Sequence, residues 1–305
     1  MFKTIVVGVD GREGGRDAMS LAGRLALAGG GELVAVRALP IEYYVSRGGA
    51  PAFSAVAVGD AEAELRADLE AAGLDARVVV VGDSSPARAL HRVAEDEDAD
   101  VIVVGSTHRG RIGAVLAGDD AAATLHGAPC PVGVAPRGLA GREWAAVAKI
   151  GVGFDGSPES RQALALAAAV ARSAGAEILV RSVVEPAVAD PEAAAPYDED
   201  WLERARAAAL ADLREALEVI DAEASGAVVA GAPVQALTIL SERVDLLVVG
   251  SRAWGPVRRI LLGSTAVRLM RDARCPLLVL PRGAATGQPG EQEPRRPETT
   301  ATAPA

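Results

Sequence analysis

The feature that most constrains the fold is an internal repeat, which divides the chain into two similar halves. A short apolar run that ends at Asp10 recurs as a run that ends at Asp155, an offset of 145 residues (155 − 10). The same offset relates Gly105 to Gly250 (250 − 105). A unit of this length is within the usual size range of a single domain. The spacing therefore predicts two tandem domains of the same fold.

Strands and helices alternate within each half. Continuous Val/Ile/Leu runs predict strands, and the segments between them have the apolar spacing of helices. In the first half the predicted strands are 5–9, 32–37, 77–81, 100–104 and 131–135, and the predicted helices are 17–27, 60–72, 86–94 and 119–126. Strands without polar alternation are covered on both faces, as in a parallel sheet. We therefore expect a doubly wound α/β fold, with a five-stranded, mainly parallel sheet in each half.

The second half repeats this order of elements, and the repeat gives the expected domain boundaries. We expect the first domain at residues 1–138, a linker at 139–147 and the second domain at 148–283. Residues 284–305 have no apolar pattern and are rich in Pro, Glu, Gln and Thr, so a disordered tail is expected.

Composition narrows the classes of function. Of 305 residues half are apolar, and Asp and Glu outnumber Lys and Arg by 41 to 31, so the formal net charge is −10. A negative surface repels nucleic acid, and 3% aromatic residues offer few platforms for base stacking. No apolar run approaches the roughly 20 residues that span a bilayer, and no signal-peptide pattern is visible. We expect a soluble, cytoplasmic protein without a nucleic-acid or membrane partner.

The segment after the fourth strand of each half has the pattern of an anion-binding loop. In the second half Gly250 ends an apolar strand, a polar loop follows, and Gly263 precedes a helical pattern. Glycine lets the backbone approach an anion, and a helix N-terminus offers free N–H groups to it. The first-half copy runs from Gly105 to Gly118. The pattern predicts a phosphate-binding loop.

Each half resembles a universal stress protein domain, and the whole chain resembles the tandem, two-domain form of that family. The resemblance rests on Asp10 and Asp155, on the loops that begin at Gly105 and Gly250, and on a Cys-Pro turn into each last strand. It implies an adenine nucleotide alpha-hydrolase-like fold and a non-catalytic role in the stress response. It also implies that the last strands pair the halves as a pseudo-dimer, and a homodimer of the whole chain is a further expectation.

The resemblance also implies a nucleotide site. In nucleotide-binding members the aspartate after the first strand contacts the adenosine, a small apolar residue at the end of the second strand lies against the base, and the glycine loop holds the phosphates. Carried onto this chain, the second half supplies Asp155, Val183, Gly250, Gly263, Ser264 and Thr265, with Arg252 as a candidate phosphate ligand. The first half supplies Asp10, Gly105 and Gly118. The implied ligand is ATP or a related adenine nucleotide.

The two glycine loops differ, and the differences rank the halves. Ala253 replaces the second glycine of the family motif in the second half, and His108 replaces it in the first. Alanine in a left-handed conformation costs roughly 1–2 kcal/mol. Asp119, in place of Ser264, costs more, because a carboxylate about 4 Å from a phosphate oxygen opposes binding by roughly 4 kcal/mol at an intermediate dielectric. We expect the nucleotide in the second half, with the first half silent.

Other interpretations of these residues stay open. Asp10 and Asp155 also suit a turn or cap at the end of the first strand, and Asp119 suits a helix N-cap as well as serine does. Arg252 serves a phosphate or a solvated helix face equally well. The alternative function is an interaction module that binds no nucleotide. We expect no catalytic residues and no metal site, because Walker, nucleophile-elbow and metal-ligand spacings are not seen.

Overall fold

Strands and helices alternate along the chain, as the sequence predicts. The computed structural model describes residues 2–39, 55–106, 114–115, 119–142, 146–186, 199–251 and 264–280. The first half contains β1 (Thr4–Gly8), α1 (Glu13–Gly29), β2 (Glu32–Leu39), α2 (Ala55–Ala72), β3 (Arg77–Gly82), α3 (Pro86–Asp96), β4 (Val101–Gly105), α4 (Asp119–Leu125) and β5 (Val132–Ala135). The second half contains β6 (Lys149–Phe154), α5 (Pro158–Ala174), β7 (Glu177–Val184), α6 (Glu199–Glu218), β8 (Ala224–Ala230), α7 (Pro233–Ser241), β9 (Leu246–Gly250), α8 (Ser264–Asp272) and β10 (Leu277–Leu280).

The strands of both halves form one sheet of ten, in the order β3-β2-β1-β4-β5-β10-β9-β6-β7-β8. Neighbouring strands within each half are parallel. The halves meet where β5 pairs with β10 in antiparallel orientation, with Gly133 opposite Leu278. The predicted doubly wound α/β fold is confirmed, and the two five-stranded sheets are continuous with each other.

Two apolar clusters cover the two faces of this sheet, and both cross from one half to the other. One cluster contains Ile5 and Leu21 from the first half together with Ile150 from the second. The cluster on the opposite face contains Ile102 and Leu247. Helices α1 and α5 also contact each other. Because the strands are buried on both faces, their sequences read as unbroken apolar runs.

Helix α1 begins at Glu13, four residues before the predicted start at Asp17 (17 − 13), and Asp17 is therefore buried inside the helix at 1% exposure. Its two carboxylate oxygens accept hydrogen bonds from the backbone N–H groups of Gly138 and Ala140, both at 2.8 Å. Burial raises the pKa of the Asp17 carboxyl group. Asp17 thus fastens the start of the expected linker to the first half, where Leu139 is fully buried.

The two cysteines occupy equivalent positions before the last strand of each half, and both are buried free thiols. Burial raises the pKa of the Cys130 thiol to about 12 and also raises the pKa of Cys275. Because the thiolate is the reactive form, these side chains act as packing residues.

Two expectations concern membranes and the tail. In the described part of the chain, no helix is both long enough and apolar enough to cross a bilayer. The expected tail at 284–305 lies outside the described residues.

Candidate functional site

In each half the strand order reverses at one point, and the strand-end residues of the predicted site lie there, namely Asp10, Gly105, Asp155 and Gly250. Strands β2 and β3 extend the sheet on one side of β1, whereas β4 lies on the other side; β6 has the same position in the second half. Open α/β sheets bind ligands in the crevice at the carboxyl ends of strands at such a point. Asp10 follows β1 and β4 ends at Gly105, while Asp155 follows β6 and β9 ends at Gly250. We call these places the first-half crevice and the second-half crevice.

Both strand-ending aspartates are exposed, and each forms the turn into the following helix. Asp10 Oδ1 accepts a hydrogen bond from the Arg12 N–H at 3.0 Å. Asp155 Oδ1 accepts one from the Ser157 N–H at 3.1 Å and another from the Ser157 hydroxyl. These are Asx turns, so the turn role is present in both halves. It is compatible with a ligand contact, because a carboxylate has about four acceptor sites.

The glycines that end β4 and β9 are required by close packing against a helix. A Cβ atom at Gly105 would lie 1.9 Å from the carbonyl oxygen of Gly14 in α1. One at Gly250 would lie 2.8 Å from the carbonyl carbon of Glu159 in α5. Packing alone therefore requires a glycine at each position, whether or not a phosphate binds there. The sequence did not reveal this requirement, because the contact joins segments that are distant in the chain.

A serine follows each of these glycines, and the hydrogen bonding of its hydroxyl differs between the halves. Both serines are buried, Ser106 at 5% and Ser251 at 0% exposure. The Ser106 hydroxyl donates a hydrogen bond to the Ala135 carbonyl oxygen at 2.6 Å. The Ser251 hydroxyl has no hydrogen-bond partner among the described residues. The second-half crevice thus contains a buried polar group that its own strands leave unsatisfied.

The glycine loops lie mostly outside the described residues. This applies to Arg252, Ala253, Gly263, His108 and Gly118. The described parts place Asp119 at the start of α4 and Ser264 at the start of α8, and Thr265 is half-buried in the first turn of α8. Val183, the expected base contact, is half-buried near the end of β7, beside Val229 of β8.

A further difference between the crevices was missed by sequence reasoning. Arg37 of β2 lies against Gly11, the residue after Asp10, and forms an ion pair with Glu64 of α2 at 2.9 Å. The repeat offset places Ser182 of β7 at the position of Arg37 (37 + 145), and Asp212 of α6 lies beside the turn after Asp155. A position-by-position comparison of the halves would have revealed the exchange of arginine for serine.

No ligand set for a metal is found among the described residues, where three or more His, Cys, Asp or Glu side chains do not come together. The arrangement that is present is one of turn carboxylates, close-packed glycines and helix N-termini around a crevice. Backbone N–H groups and single acceptors of this kind bind an anionic or hydroxyl-rich small molecule.

A doubly wound α/β protein with such a crevice in each half belongs to the class of folds that bind small ligands at the carboxyl edge of a sheet. The model of the universal stress protein family matches the chain twice, over residues 1–136 and 147–281. The chain therefore belongs to the universal stress protein family.

Individual relatives are similar over part or most of the chain. A universal stress protein of Thermus aquaticus is 31% identical over 131 residues, which span 42% of this chain and 93% of that protein. One of Mycobacterium tuberculosis is 29% identical over 165 residues, which span 48% of this chain and 49% of that protein.

Two solved structures show the same fold over most of the chain. A universal stress protein from Archaeoglobus fulgidus aligns with a TM-score of 0.62 at 18% identity, covering 92% of this chain and 98% of that one. A putative universal stress protein from Pseudomonas aeruginosa also aligns with a TM-score of 0.62, at 20% identity, covering 92% of this chain and 94% of that one.

Proposed function

We propose that the chain binds ATP or a related adenine nucleotide in its second-half crevice and acts as a non-catalytic regulator of the cytoplasmic stress response. The observation that carries the location is the buried Ser251 hydroxyl after β9, which has no hydrogen-bond partner among the described residues. A buried polar group without a partner costs about 1–3 kcal/mol, so such groups in native structures call for an explanation. A ligand in the crevice supplies the missing hydrogen bond.

Three differences between the halves favour the second one. Its helix α8 begins with Ser264, whereas α4 begins with Asp119, which would oppose a phosphate. In the first half the Ser106 hydroxyl is already satisfied by Ala135. Arg37 also lies in the first-half crevice. The non-catalytic role rests on family membership and on the motifs, among which no Walker loop or nucleophile elbow is seen.

Asp155→Ala and Asp10→Ala form a matched pair of variants that tests the location. We expect Asp155→Ala to weaken ATP binding roughly 10- to 100-fold, since a hydrogen bond to a charged group contributes about 1.5–3 kcal/mol. Asp10→Ala should leave the affinity unchanged. Isothermal titration calorimetry with ATP and with AMP measures both.

The two variants control for each other because each removes a turn hydrogen bond of nearly the same length, 3.0 Å from Arg12 and 3.1 Å from Ser157. Asp155→Ala also removes the hydrogen bond from the Ser157 hydroxyl, so its loss of thermal stability is expected to be somewhat larger than that of Asp10→Ala. An equal loss of affinity in the two variants, or a loss in Asp10→Ala alone, would place the site elsewhere.

The second candidate is an interaction module that binds no nucleotide. It is favoured by the Asx turns and by the close packing of Gly105 and Gly250, which explain these residues without a ligand. It predicts no heat of binding with ATP, AMP or cyclic AMP. In that case the function lies in the surface of the joined halves.

A further inference from the structure

We propose that Arg37 occupies the nucleoside position of the first half, and that the second half presents the short Ser182 and the Asp212 carboxylate at that position instead. These residues then decide which half accepts the nucleoside part of a ligand. The inference deepens the proposed function and rests on it. It explains why the first half would bind no nucleotide by a cause that does not involve the phosphate loop.

The guanidinium of Arg37 fills the space over the turn that follows Asp10. Gly11 has a φ of +74°, and a Cβ atom there would lie only 2.6 Å from Arg37 Nη2. The Arg37 side chain is only 14% exposed, although it is long and charged. A group packed this closely on the backbone leaves no room for a second molecule at the same place.

Burial and packing, more than charge, hold Arg37 in this position. Its Nη1 atom lies 2.9 Å from Glu64 Oε2, and because Nη1 forms no hydrogen bond within the described residues, the contact is an ion pair only. The carboxylate of Glu64 is 68% exposed, so the pair by itself contributes little to stability. The close packing of Arg37 against Gly11 is therefore the main obstacle to a ligand.

The second half has the same backbone but different side chains. Gly156 has a φ of +77°, like Gly11, but the nearest atom to a Cβ there is Asp212 Oδ2, at 3.1 Å. Asp212 precedes the buried Leu213 in α6, as Glu64 precedes the buried Leu65 in α2. Asp212 thus lies at the turn itself, whereas Glu64 reaches the equivalent turn only through Arg37.

The partner of the helix carboxylate differs between the halves. In the first half the carboxylate of Glu64 forms an ion pair with Arg37. In the second half the equivalent residue is Ser182, which is short, neutral and 4% exposed. An exposed Asp212 carboxylate can accept hydrogen bonds from the hydroxyl groups of a ribose or from an exocyclic amine. Arg37 therefore stands in the first half where the donors of a nucleoside would lie in the second.

Adenosine is the probe that distinguishes the effect of Arg37 from the effect of the phosphate loop, because adenosine has no phosphate that Asp119 could repel. The full chain is labelled with ¹⁵N-glycine, and the amide signals of Gly11 and Gly156 report on the two crevices during a titration. In the wild-type chain we expect adenosine to shift Gly156 and to leave Gly11 in place.

Two double variants exchange the side chains between the halves. Arg37→Ser with Glu64→Asp gives the first half the second-half residues, and Gly11 should then shift with an affinity within about ten-fold of that of Gly156. Arg37→Lys is the control, which keeps a cation and should keep Gly11 unresponsive. Ser182→Arg with Asp212→Glu should abolish the shift of Gly156, and thermal unfolding verifies that each variant is folded.

The outcomes separate this inference from the proposed function. If Gly156 shifts in the wild-type chain but Gly11 stays still in Arg37→Ser with Glu64→Asp, the inference is overturned and the nucleotide site stands. If Gly11 shifts in that variant while Gly156 never responds, Arg37 is the obstacle in the first half, but the second-half part of the inference is overturned together with the proposed site. A shift of Gly11 in the wild-type chain overturns the inference, and no response in any chain overturns both.

Discussion

Ser264→Asp is expected to weaken ATP binding about 1000-fold and to leave the fold intact. A carboxylate about 4 Å from a phosphate oxygen opposes binding by roughly 4 kcal/mol at an intermediate dielectric, which corresponds to that factor. The fold should tolerate the change because Asp119 already begins the equivalent helix α4. Aspartate is also as good an N-terminal residue for a helix as serine.

Two further variants test whether this loss of binding is caused by the charge and whether it is confined to the second half. Ser264→Asn is neutral and should weaken ATP binding by about ten-fold or less, as expected for the loss of one ordinary hydrogen bond. Asp119→Ser should restore little binding to the first half, where His108 and Arg37 remain. Calorimetry with ATP measures all three affinities. Equal effects of Ser264→Asp and Ser264→Asn would rule out a phosphate near this position.

Gly105→Ala is expected to lower the free energy of unfolding by about 3 kcal/mol, the upper part of the usual range for overpacking. The added Cβ atom, whose position the backbone fixes, would lie 1.9 Å from the Gly14 carbonyl oxygen, which is itself a backbone atom. A side chain could rotate away, but here α1 must move as a whole relative to β4. Urea denaturation followed by circular dichroism measures the loss.

Gly133→Ala is the matched control for this variant, since Gly133 lies in β5 of the same sheet. The nearest atom to its added Cβ is a side-chain carbon of Leu21 at 3.5 Å, an ordinary contact. We expect its effect to stay below about 1 kcal/mol, the size usual for glycine-to-alanine changes where the backbone and the space allow alanine. If Gly105→Ala were equally mild, the packing explanation for that glycine would be wrong.

The fold could be predicted from the sequence because two signals agree along the whole chain. Apolar runs mark the buried parallel strands, and the offset of 145 residues repeats their order. The carboxyl ends of β1 and β4 could be placed at the same edge of the sheet because parallel strands run in the same direction. The candidate aspartates and glycines stand at these strand ends, and the family resemblance implies their role in a nucleotide site.

The start of α1 could not be predicted, because tertiary packing outweighs local preference there. Gly14 and Gly15 are poor helix formers, so the pattern alone favours a start at Asp17. The close approach of α1 to Gly105 requires a small residue at position 14, and the helix therefore includes both glycines. The burial of Asp17 follows from this earlier start.

The roles of Arg37 and Ser251 also could not be predicted from the sequence. Arg37 lies in a strand and contacts Gly11 and Glu64, which are distant in the chain. Within the described residues the Ser106 hydroxyl has a hydrogen-bond partner and the Ser251 hydroxyl has none, a difference that depends on local geometry. The exchange of Arg37 for Ser182 is visible in the sequence, but the contacts of Arg37 are not.

The central claim is that one of two similar crevices binds a nucleotide, and native mass spectrometry of the full chain tests it most directly. The chain is purified without added nucleotide, its mass is measured, and the measurement is repeated with increasing ATP up to a saturating amount. We predict a single adenine nucleotide per chain, bound by Asp10→Ala at the same ATP concentration as by the wild-type chain and by Asp155→Ala only at a roughly 10- to 100-fold higher one. A chain that stays empty with ATP, or that binds two nucleotides, would contradict the claim.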